Sequence, residues 1–300
     1  MALNLATLRT RSLTAAVFVV VMLAGLLWNF WSFFILFSVI HFGCWLEFLK
    51  LVEKICAVTI DSIIKWFFAI CGFTLMVVLG ISRYTFDVGI NIFGVSISFK
   101  LLLWGLMMIF LLAFILQNKE LSVKAKQMCF GGFFYITMPI IMLLDLGLKI
   151  EIENFNGVSE TGISVSYVNS YLLPCAIIFS IWINDTMAYI VGSLIGKTPF
   201  SKISPKKTWE GTIGGALLCV IVIATIAYFS KVLPVKDAAV IAALCAIFGT
   251  IGDLFESKLK RMANVKDSGA IMPGHGGFLD RFDSLLFAAP AVWIYVKLLM

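Results

Sequence analysis

Nine apolar stretches, each about as long as a membrane-crossing helix, restrict the fold of this chain more than any other feature. They lie near residues 13–28, 30–48, 64–82, 101–117, 128–147, 171–191, 211–229, 238–255 and 284–299. Hydrocarbon offers no hydrogen-bond partner to a bare backbone, so such stretches are stable in a bilayer as helices. Only 13% of the residues are charged, against about 25% in a soluble domain. We therefore predict an all-α integral membrane protein of about nine transmembrane helices.

The basic residues predict how these helices are oriented. With the N-terminus in the cytoplasm, 17 of the 23 Lys and Arg residues fall on the cytoplasmic side. This bias is what orients short loops during insertion, and an odd number of crossings places the C-terminus on the opposite side. No low-complexity linker or long charged tail separates a second domain. Residues 1–300 are thus expected to form a single polytopic membrane domain.

The cysteines give little indication of a chemical role. None forms a CxxC pair or lies beside a histidine, and most lie within apolar stretches. We interpret them as small apolar fillers, with a disulfide or zinc role as the less favoured alternative. The seven are Cys44, Cys56, Cys71, Cys129, Cys175, Cys219 and Cys245.

The loop expected over residues 256–283 has an unusual content of charged residues and glycines. Gly276 and Gly277 follow His275, and they would let the backbone amides approach a phosphate closely. The loop also supplies the positive charge that a triphosphate requires, from Lys260, Arg261, Lys266 and Arg281. Membrane topology alone would explain a basic loop, but it requires neither aspartates nor paired glycines.

Three polar residues around the end of the eighth apolar stretch share one predicted helix face. Asp253, Ser257 and Lys260 are spaced i, i+4 and i+7. Asp280 and Asp283 follow in the next loop, and such hard oxygen ligands favour magnesium. The alternative for Asp253 is an ion pair with a nearby base of its own helix.

The sixth apolar stretch carries a further acid, Asp185, with Tyr189 one turn later. Asp185 lies about 21 Å along the helix axis from its outer end, so it belongs to the inner half of the membrane. It could therefore share a polar pocket with Asp253, or it could be satisfied by helix packing alone. A second basic segment, SPKKTWEG, begins at Ser204 and supplies Lys206, Lys207 and Thr208, which suit phosphate binding or a positive-inside role.

In these residues the chain resembles the phosphatidate cytidylyltransferase family, also called CDP-diglyceride synthetases. The C-terminal signature of that family is matched at Ser257, Lys260, Arg261, Lys266, Asp267, Gly269, Pro273, His275, Gly276, Gly277, Asp280, Arg281 and Asp283. The resemblance extends to Asp185 with Tyr189, to SPKKTWEG and to Asp253. Two positions depart from the pattern, Met272 within the signature and Ser193 after Gly192.

The resemblance implies a magnesium-dependent reaction of CTP with phosphatidic acid, giving CDP-diacylglycerol and pyrophosphate. It implies Asp253 and Asp280 as magnesium ligands, and a second cation is left open. The implied catalytic residues are Asp253, Ser257, Lys260, Arg261, Lys266, Asp267, His275, Asp280, Arg281 and Asp283. The implied substrate-binding residues are Asp185, Tyr189, Ser204, Lys206, Lys207, Thr208, Gly276 and Gly277. His275 could act as an acid toward pyrophosphate or hold the loop, and both readings stay open.

The expected setting is a bacterial inner membrane, with the catalytic part at residues 171–300 and the active site facing the cytoplasm. Membrane lipid is then a partner, nucleic acid is not, and a homodimer is left open. Two alternatives from other classes remain. A CTP-dependent polyprenol or phytol kinase would transfer the terminal phosphoryl group, and a transporter would use the intramembrane aspartates as an ion pathway.

Overall fold

A computed structural model describes residues 5–80, 89–92, 95–98, 102, 105–109, 112, 121–147, 149–153, 164–168, 171–201, 203–269 and 276–300. Its α-helices are α1 (Leu5–Leu27), α2 (Phe30–Cys56), α3 (Ser62–Gly80), α4 (Val123–Gly132), α5 (Met138–Leu146), α6 (Leu172–Ile195), α7 (Trp209–Ser230), α8 (Val235–Met262) and α9 (Leu279–Leu298). A π-helical segment, Phe133–Thr137, joins α4 to α5. His275 lies outside the described residues.

Six helical segments of the described chain are long and apolar enough to cross a membrane. They are α2, α3, the continuous segment Val123–Leu146, α6, α7 and α8. Helix α1 contains a shorter apolar stretch, Thr14–Leu27. The prediction of a helical membrane protein is confirmed for these segments, whereas nine crossings and their direction remain predictions.

Two short antiparallel hairpins accompany the helices. Strand β1 (Gly89–Ile92) pairs with β2 (Val95–Ser98), and β3 (Lys149–Glu153) pairs with β4 (Ser164–Val168). The first hairpin coincides with an alternation of apolar and polar residues, which is the pattern of a strand with two unlike faces. The all-α prediction did not include either hairpin.

The helices extend beyond the apolar stretches at the positions that matter for function. Helix α8 continues to Met262, so residues 256–262 are helical rather than part of a loop. Helix α9 begins at Leu279, which places Asp280 and Asp283 in its first turns. The loop predicted over residues 256–283 is therefore shorter at both ends, and the charged residues Lys260, Arg261, Asp280, Arg281 and Asp283 belong to helices.

The main apolar core is built largely from aromatic residues of α2 and its neighbours. Trp45 of α2 is fully buried, with its ring 5.9 Å from that of Phe68 and 4.9 Å from that of Phe133. All seven cysteines are free, and six are buried, which agrees with their interpretation as apolar fillers. A smaller cluster between α7 and α8 contains Cys219 and Ala242. The C-terminal helices pack closely beside this core and carry the polar residues described next.

Candidate active site

The segment between α6 and α7 is held in place by hydrogen bonds to its own backbone. The amide of Phe200 donates to the carbonyl of Lys207 over 2.8 Å, and that of Trp209 donates to the carbonyl of Thr198 over 3.0 Å. The Glu210 carboxylate accepts from the Thr198 amide at 3.1 Å. The rings of Phe200 and Trp209 pack edge to face, with centroids 4.5 Å apart. These contacts fix Thr198 and Phe200 against the start of α7.

The start of α7 follows from the sequence of the same segment. Thr208 is the N-cap of α7, and its hydroxyl accepts a hydrogen bond from the Gly211 amide at 3.1 Å. Threonine suits this position because its side chain satisfies an amide that lacks an acceptor within the helix. Lys206 and Lys207 consequently lie just before the positive end of the α7 helix dipole, where an anion is favoured.

A cavity of about 480 Å³ lies between this segment and helices α6, α7 and α8. It is lined by Asn184, Asp185, Ala188, Tyr189, Gly192, Ser193, Ser204, Lys206, Lys207, Thr208, Gly211, Thr212, Thr250 and Asp253. The structure thus brings together three separate parts of the sequence prediction: the Asp185 motif, the SPKKTWEG segment and Asp253. Thr250 and Thr212 add hydroxyl groups that the sequence prediction did not include.

Asp253 forms its ion pair with Lys207 across the cavity wall. Its other oxygen accepts a hydrogen bond from the Ser257 hydroxyl at 3.3 Å, one turn along α8. The predicted alternative, an ion pair with a base of its own helix, is wrong for Asp253. Lys260, the third member of the predicted helix face, contacts two other acids instead.

A buried acid links the cavity to the rest of the site. Asp283 in α9 is 8% exposed, and its Oδ1 accepts from the Ser284 amide at 2.6 Å. Asp283 packs against α8 next to Asp253, since a Cβ at the neighbouring Gly252 would overlap the Asp283 carbonyl oxygen. Asp185, Asp253 and Asp283 thus come from the neighbouring helices α6, α8 and α9, and a bound cation would relieve repulsion between acids placed in this way.

Lys260 joins two further carboxylates beside this cluster. Its ammonium pairs with Glu256 one turn earlier in α8, and it lies 2.6 Å from Oδ1 of Asp280. Oδ2 of Asp280 accepts from the amides of Ser268 at 2.9 Å and Gly277 at 2.8 Å. Asp280 therefore fixes the loop before α9 and is itself fixed by Lys260.

A second carboxylate, Glu47 of α2, reaches the same loop. It accepts hydrogen bonds from the Ser268 hydroxyl at 2.7 Å and from the amides of Phe278 at 3.0 Å and Leu279 at 2.9 Å. A side chain at Gly277 would collide with both oxygens of Glu47, so only glycine allows this approach. Gly276 has a φ of 83°, which glycine adopts without strain.

The remaining predicted residues lie at the edge of these groups. Arg261, Lys266, Asp267 and Arg281 are all exposed. Arg281 borders a narrow groove that is otherwise apolar and includes Trp182 and Phe282. Tyr189 lines the cavity with 77% of its surface exposed.

The sequence prediction missed Glu47, Glu256 and Ser268. Glu47 interrupts the second apolar stretch, and the rule that intramembrane acids indicate function would have selected it, as it selected Asp185. Glu256 lies one helical turn before Lys260, so the same i, i+4 spacing that relates Asp253 to Ser257 would have identified it. Nothing in the local sequence distinguishes Ser268.

The acids near the cavity suit a divalent cation by the type of their donor atoms but not by their number. In the part of the chain that the structure describes, no three Asp, Glu, His or Cys side chains converge closely enough to hold a metal alone. The acids near the cavity nevertheless offer only hard oxygen atoms. Magnesium is commonly bound by one or two carboxylates, with waters and substrate phosphates completing its shell. Asp253 together with a bound phosphate would satisfy that requirement.

The fold and the site define a class: a helical membrane protein with a polar cavity in which lysines of the segment before α7 meet aspartates of α6 and α8. Comparison with known proteins gives the family within this class. Residues 9–299 match the model of the cytidylyltransferase family. The chain belongs to that family.

Several bacterial relatives share extensive sequence with the chain. It is 40% identical to a phosphatidate cytidylyltransferase of Aquifex aeolicus, over 44% of this chain and 49% of the relative. The corresponding Bacillus subtilis protein is 46% identical over 39% and 45%. That of Thermotoga maritima is 38% identical over 54% and 70%. The matched segments thus span about half the length of the first two relatives.

Proposed function

We propose that this protein transfers the cytidylyl group of CTP to phosphatidic acid and releases pyrophosphate, which forms CDP-diacylglycerol. The observation that carries the proposal is the cavity in which Lys207, Asp253 and Asp185 meet from different parts of the chain. Family membership and the names of the relatives support the same reaction. The names of the relatives specify the two substrates, and the cavity lysines suit the phosphate groups that both of them carry.

In the proposed reaction, a phosphate oxygen of phosphatidic acid attacks the α-phosphorus of CTP. A new P–O bond forms there while the bond to the β-phosphate oxygen breaks, and pyrophosphate leaves with that electron pair. The nucleophile is already an anion, so the protein needs no strong general base. Orientation of the two anions and neutralisation of their charge should supply most of the rate enhancement.

Lys206 and Lys207 are proposed to bind phosphate oxygens at the N-terminus of α7. Lys207 can do so because its ion pair with Asp253 is partly exposed, and a phosphate can replace the carboxylate at small cost. Ser204, Thr208 and Tyr189 would add contacts around the nucleotide. Arg261, Lys266 and Arg281 are proposed to contact the lipid or the outer phosphates from the surface.

Asp253 and Asp280 are proposed to hold Mg²⁺, with Asp283 as a supporting carboxylate. When bound, the ion would lower the repulsion between the two phosphate groups and stabilise charge on pyrophosphate. Asp253 is available once Lys207 turns to a phosphate. Asp280 would first have to give up its 2.6 Å contact with Lys260. A ligand role for Asp280 therefore predicts that Lys260 moves when magnesium and nucleotide bind.

The orientation and cellular location belong to the same proposal. The excess of Lys and Arg on one side favours a cytoplasmic N-terminus and a site that opens to the cytoplasm, where CTP is present. The bacterial relatives favour an inner membrane. Residues 171–300 would carry the catalytic groups within one membrane domain, with nine crossings in all. A homodimer remains an open proposal.

Purified protein in detergent or proteoliposomes tests this function directly. Given phosphatidic acid, Mg²⁺ and each nucleoside triphosphate in turn, it should release pyrophosphate only with CTP. Removal of Mg²⁺ with a chelator should stop the reaction, and added Mg²⁺ should restore it.

CTP that is labelled either in the cytosine ring or at the γ-phosphate distinguishes a cytidylyltransferase from a kinase. Label from the cytosine ring in the lipid supports the cytidylyltransferase. Label from the γ-phosphate in the lipid supports a kinase and contradicts the proposal. Absence of any lipid product would also contradict it.

A further inference from the structure

Glu47 is a buried acid in a helix that contributes none of the described residues lining the cavity. It is 3% exposed, and its three hydrogen-bond donors lie 221 to 232 residues later in the chain. A buried carboxylate is costly unless its oxygens are hydrogen-bonded. The three donors meet this requirement, and all of them lie in the loop and first turn that carry Asp280.

Two of these donors belong to the beginning of α9. The amides of Phe278 and Leu279 are at the N-cap and first position of that helix, where no acceptor within the helix is available. A carboxylate is also favoured there by the helix dipole. A Cβ at Gly277 would overlap both oxygens of Glu47, so it is the missing side chain of this glycine that lets the carboxylate lie against the start of α9. Glu47 thereby fixes where α9 starts.

The third donor connects Glu47 to the charged residues of the site. The Ser268 hydroxyl lies 2.7 Å from Glu47 and 3.0 Å from Oδ2 of Asp280, so it bridges the two carboxylates. Asp280 then contacts Lys260, which pairs with Glu256. A continuous series of polar contacts runs from α2 through the loop and α9 to α8.

We propose that Glu47 is a positioning residue, which sets the location of Asp280 and Lys260 for catalysis from outside the cavity. This role rests on the proposed function for its kinetic part and on the contacts alone for its structural part. An apolar side chain at this position could fill the same space, but it would leave the Ser268 hydroxyl and the amides of Phe278 and Leu279 without their acceptor. The hydrogen-bond pattern of Glu47 instead suits precise placement.

The test compares Glu47→Gln with Glu53→Gln in the full-length protein in lipid nanodiscs. Gln preserves the size of the side chain but offers one acceptor oxygen in place of two. Glu53 is a matched control in the same helix, since it also accepts from an amide, Ile60, at 2.8 Å and pairs with Lys65. Amide hydrogen exchange and steady-state kinetics are measured on both variants.

In Glu47→Gln, we expect the amides of residues 276–282 to exchange at least about tenfold faster, because hydrogen bonds to a charged acceptor are lost. We expect kcat to fall about 10- to 100-fold, the usual cost of removing a partner that orients a functional group. KM for CTP and for phosphatidic acid should change little, since placement matters most in the transition state. In Glu53→Gln, the backbone amides near Ile60 should exchange faster, and kcat should stay unchanged.

Two results would overturn the inference. Unchanged exchange over residues 276–282 would show that Glu47 does not hold α9. Faster exchange with an unchanged kcat would show a contact without catalytic consequence. If Glu47→Gln does not insert or fold, Glu47→Asp keeps the charge but draws the carboxylate back from all three donors, and a normal kcat in that variant overturns the proposal equally. Wild-type protein that forms no CDP-diacylglycerol would refute the function, whereas the exchange result would still decide whether the contact exists.

Discussion

The two groups of carboxylates in this protein differ in what their oxygens contact. Asp253 faces a cavity and pairs with Lys207, and the two side chains are 31% and 28% exposed. Asp280 is 9% exposed, and its oxygens are occupied by Lys260 and by backbone amides. An exposed pair contributes only about 0–1 kcal/mol, so a ligand can replace it. A buried pair costs about 3–5 kcal/mol to break by removing one partner.

This difference suggests a division of labour within one site. The cavity group, Asp253 and Asp185, has contacts that a substrate can replace, as a binding surface requires. The buried group, Asp280 with Glu47 and Glu256, has contacts that hold two helix ends and Ser268 in one arrangement. Substitutions should therefore change activity alone in the cavity group, but activity and stability together in the buried group.

The largest expected effect is that of Asp253→Asn. The amide would weaken the proposed Mg²⁺ site and the contact with Lys207, so we expect kcat to fall by at least about 100-fold, as when one transition-state contact is removed. The melting temperature should stay close to that of the wild type, since the pair is partly exposed. Kinetics in proteoliposomes and thermal unfolding in detergent measure the two quantities. A large fall in melting temperature would place Asp253 in the buried group instead.

Asp280→Asn should lower activity and stability together. We expect most CTP-dependent activity to be lost and the free energy of unfolding to fall by about 1–3 kcal/mol. This is less than the cost of breaking a buried pair outright, because the Asn oxygen still accepts hydrogen bonds and Lys260 keeps Glu256. The variant should still insert and fold. Turnover as a function of Mg²⁺ concentration is the decisive measurement. Undiminished turnover at saturating Mg²⁺ would refute the assignment of Asp280 as a ligand.

The Asp185→Ala variant tests whether the cavity is shared by α6 and α8. Asp185 lines the cavity together with Asp253 and Lys207. We expect turnover to fall about tenfold, in the lower part of the range for a residue that supports a metal or phosphate. Normal kinetics combined with a lower melting temperature would instead mean that Asp185 serves helix packing.

Residue spacing predicted some parts of the site and could not predict others. Asp253 and Ser257 are one helical turn apart, so their hydrogen bond follows from the sequence. Lys207 and Asp253 are on different elements, and their pairing depends on how α6, α7 and α8 pack. Glu47 and Ser268 are 221 residues apart, and no periodicity in the sequence relates them. Long-range contacts of this kind depend on the whole tertiary structure.

The same limit applies to the fold. The length of the apolar stretches predicted the helices because a bilayer imposes one solution on each long apolar stretch. It placed their ends less accurately, since α8 continues to Met262 through charged residues that face the site. Those residues are stabilised by contacts with α9 and the following loop, and hydropathy does not register such contacts. The positions missed by hydropathy are thus the ones where α8 meets the proposed site.

The smallest effect is expected for Asp145→Asn, which serves as a reference for the other three variants. Asp145 pairs with Lys297 at 2.8 Å and accepts from the Trp293 indole at 2.8 Å, near the C-terminal end of α9. That end lies about 26 Å along the helix from Asp280. We expect stability to fall by up to about 1 kcal/mol, as for a partly exposed pair, and kcat to stay unchanged. A marked loss of kcat would mean that activity depends on the integrity of α9 as a whole, and the effect of Asp280→Asn could then no longer be assigned to local contacts.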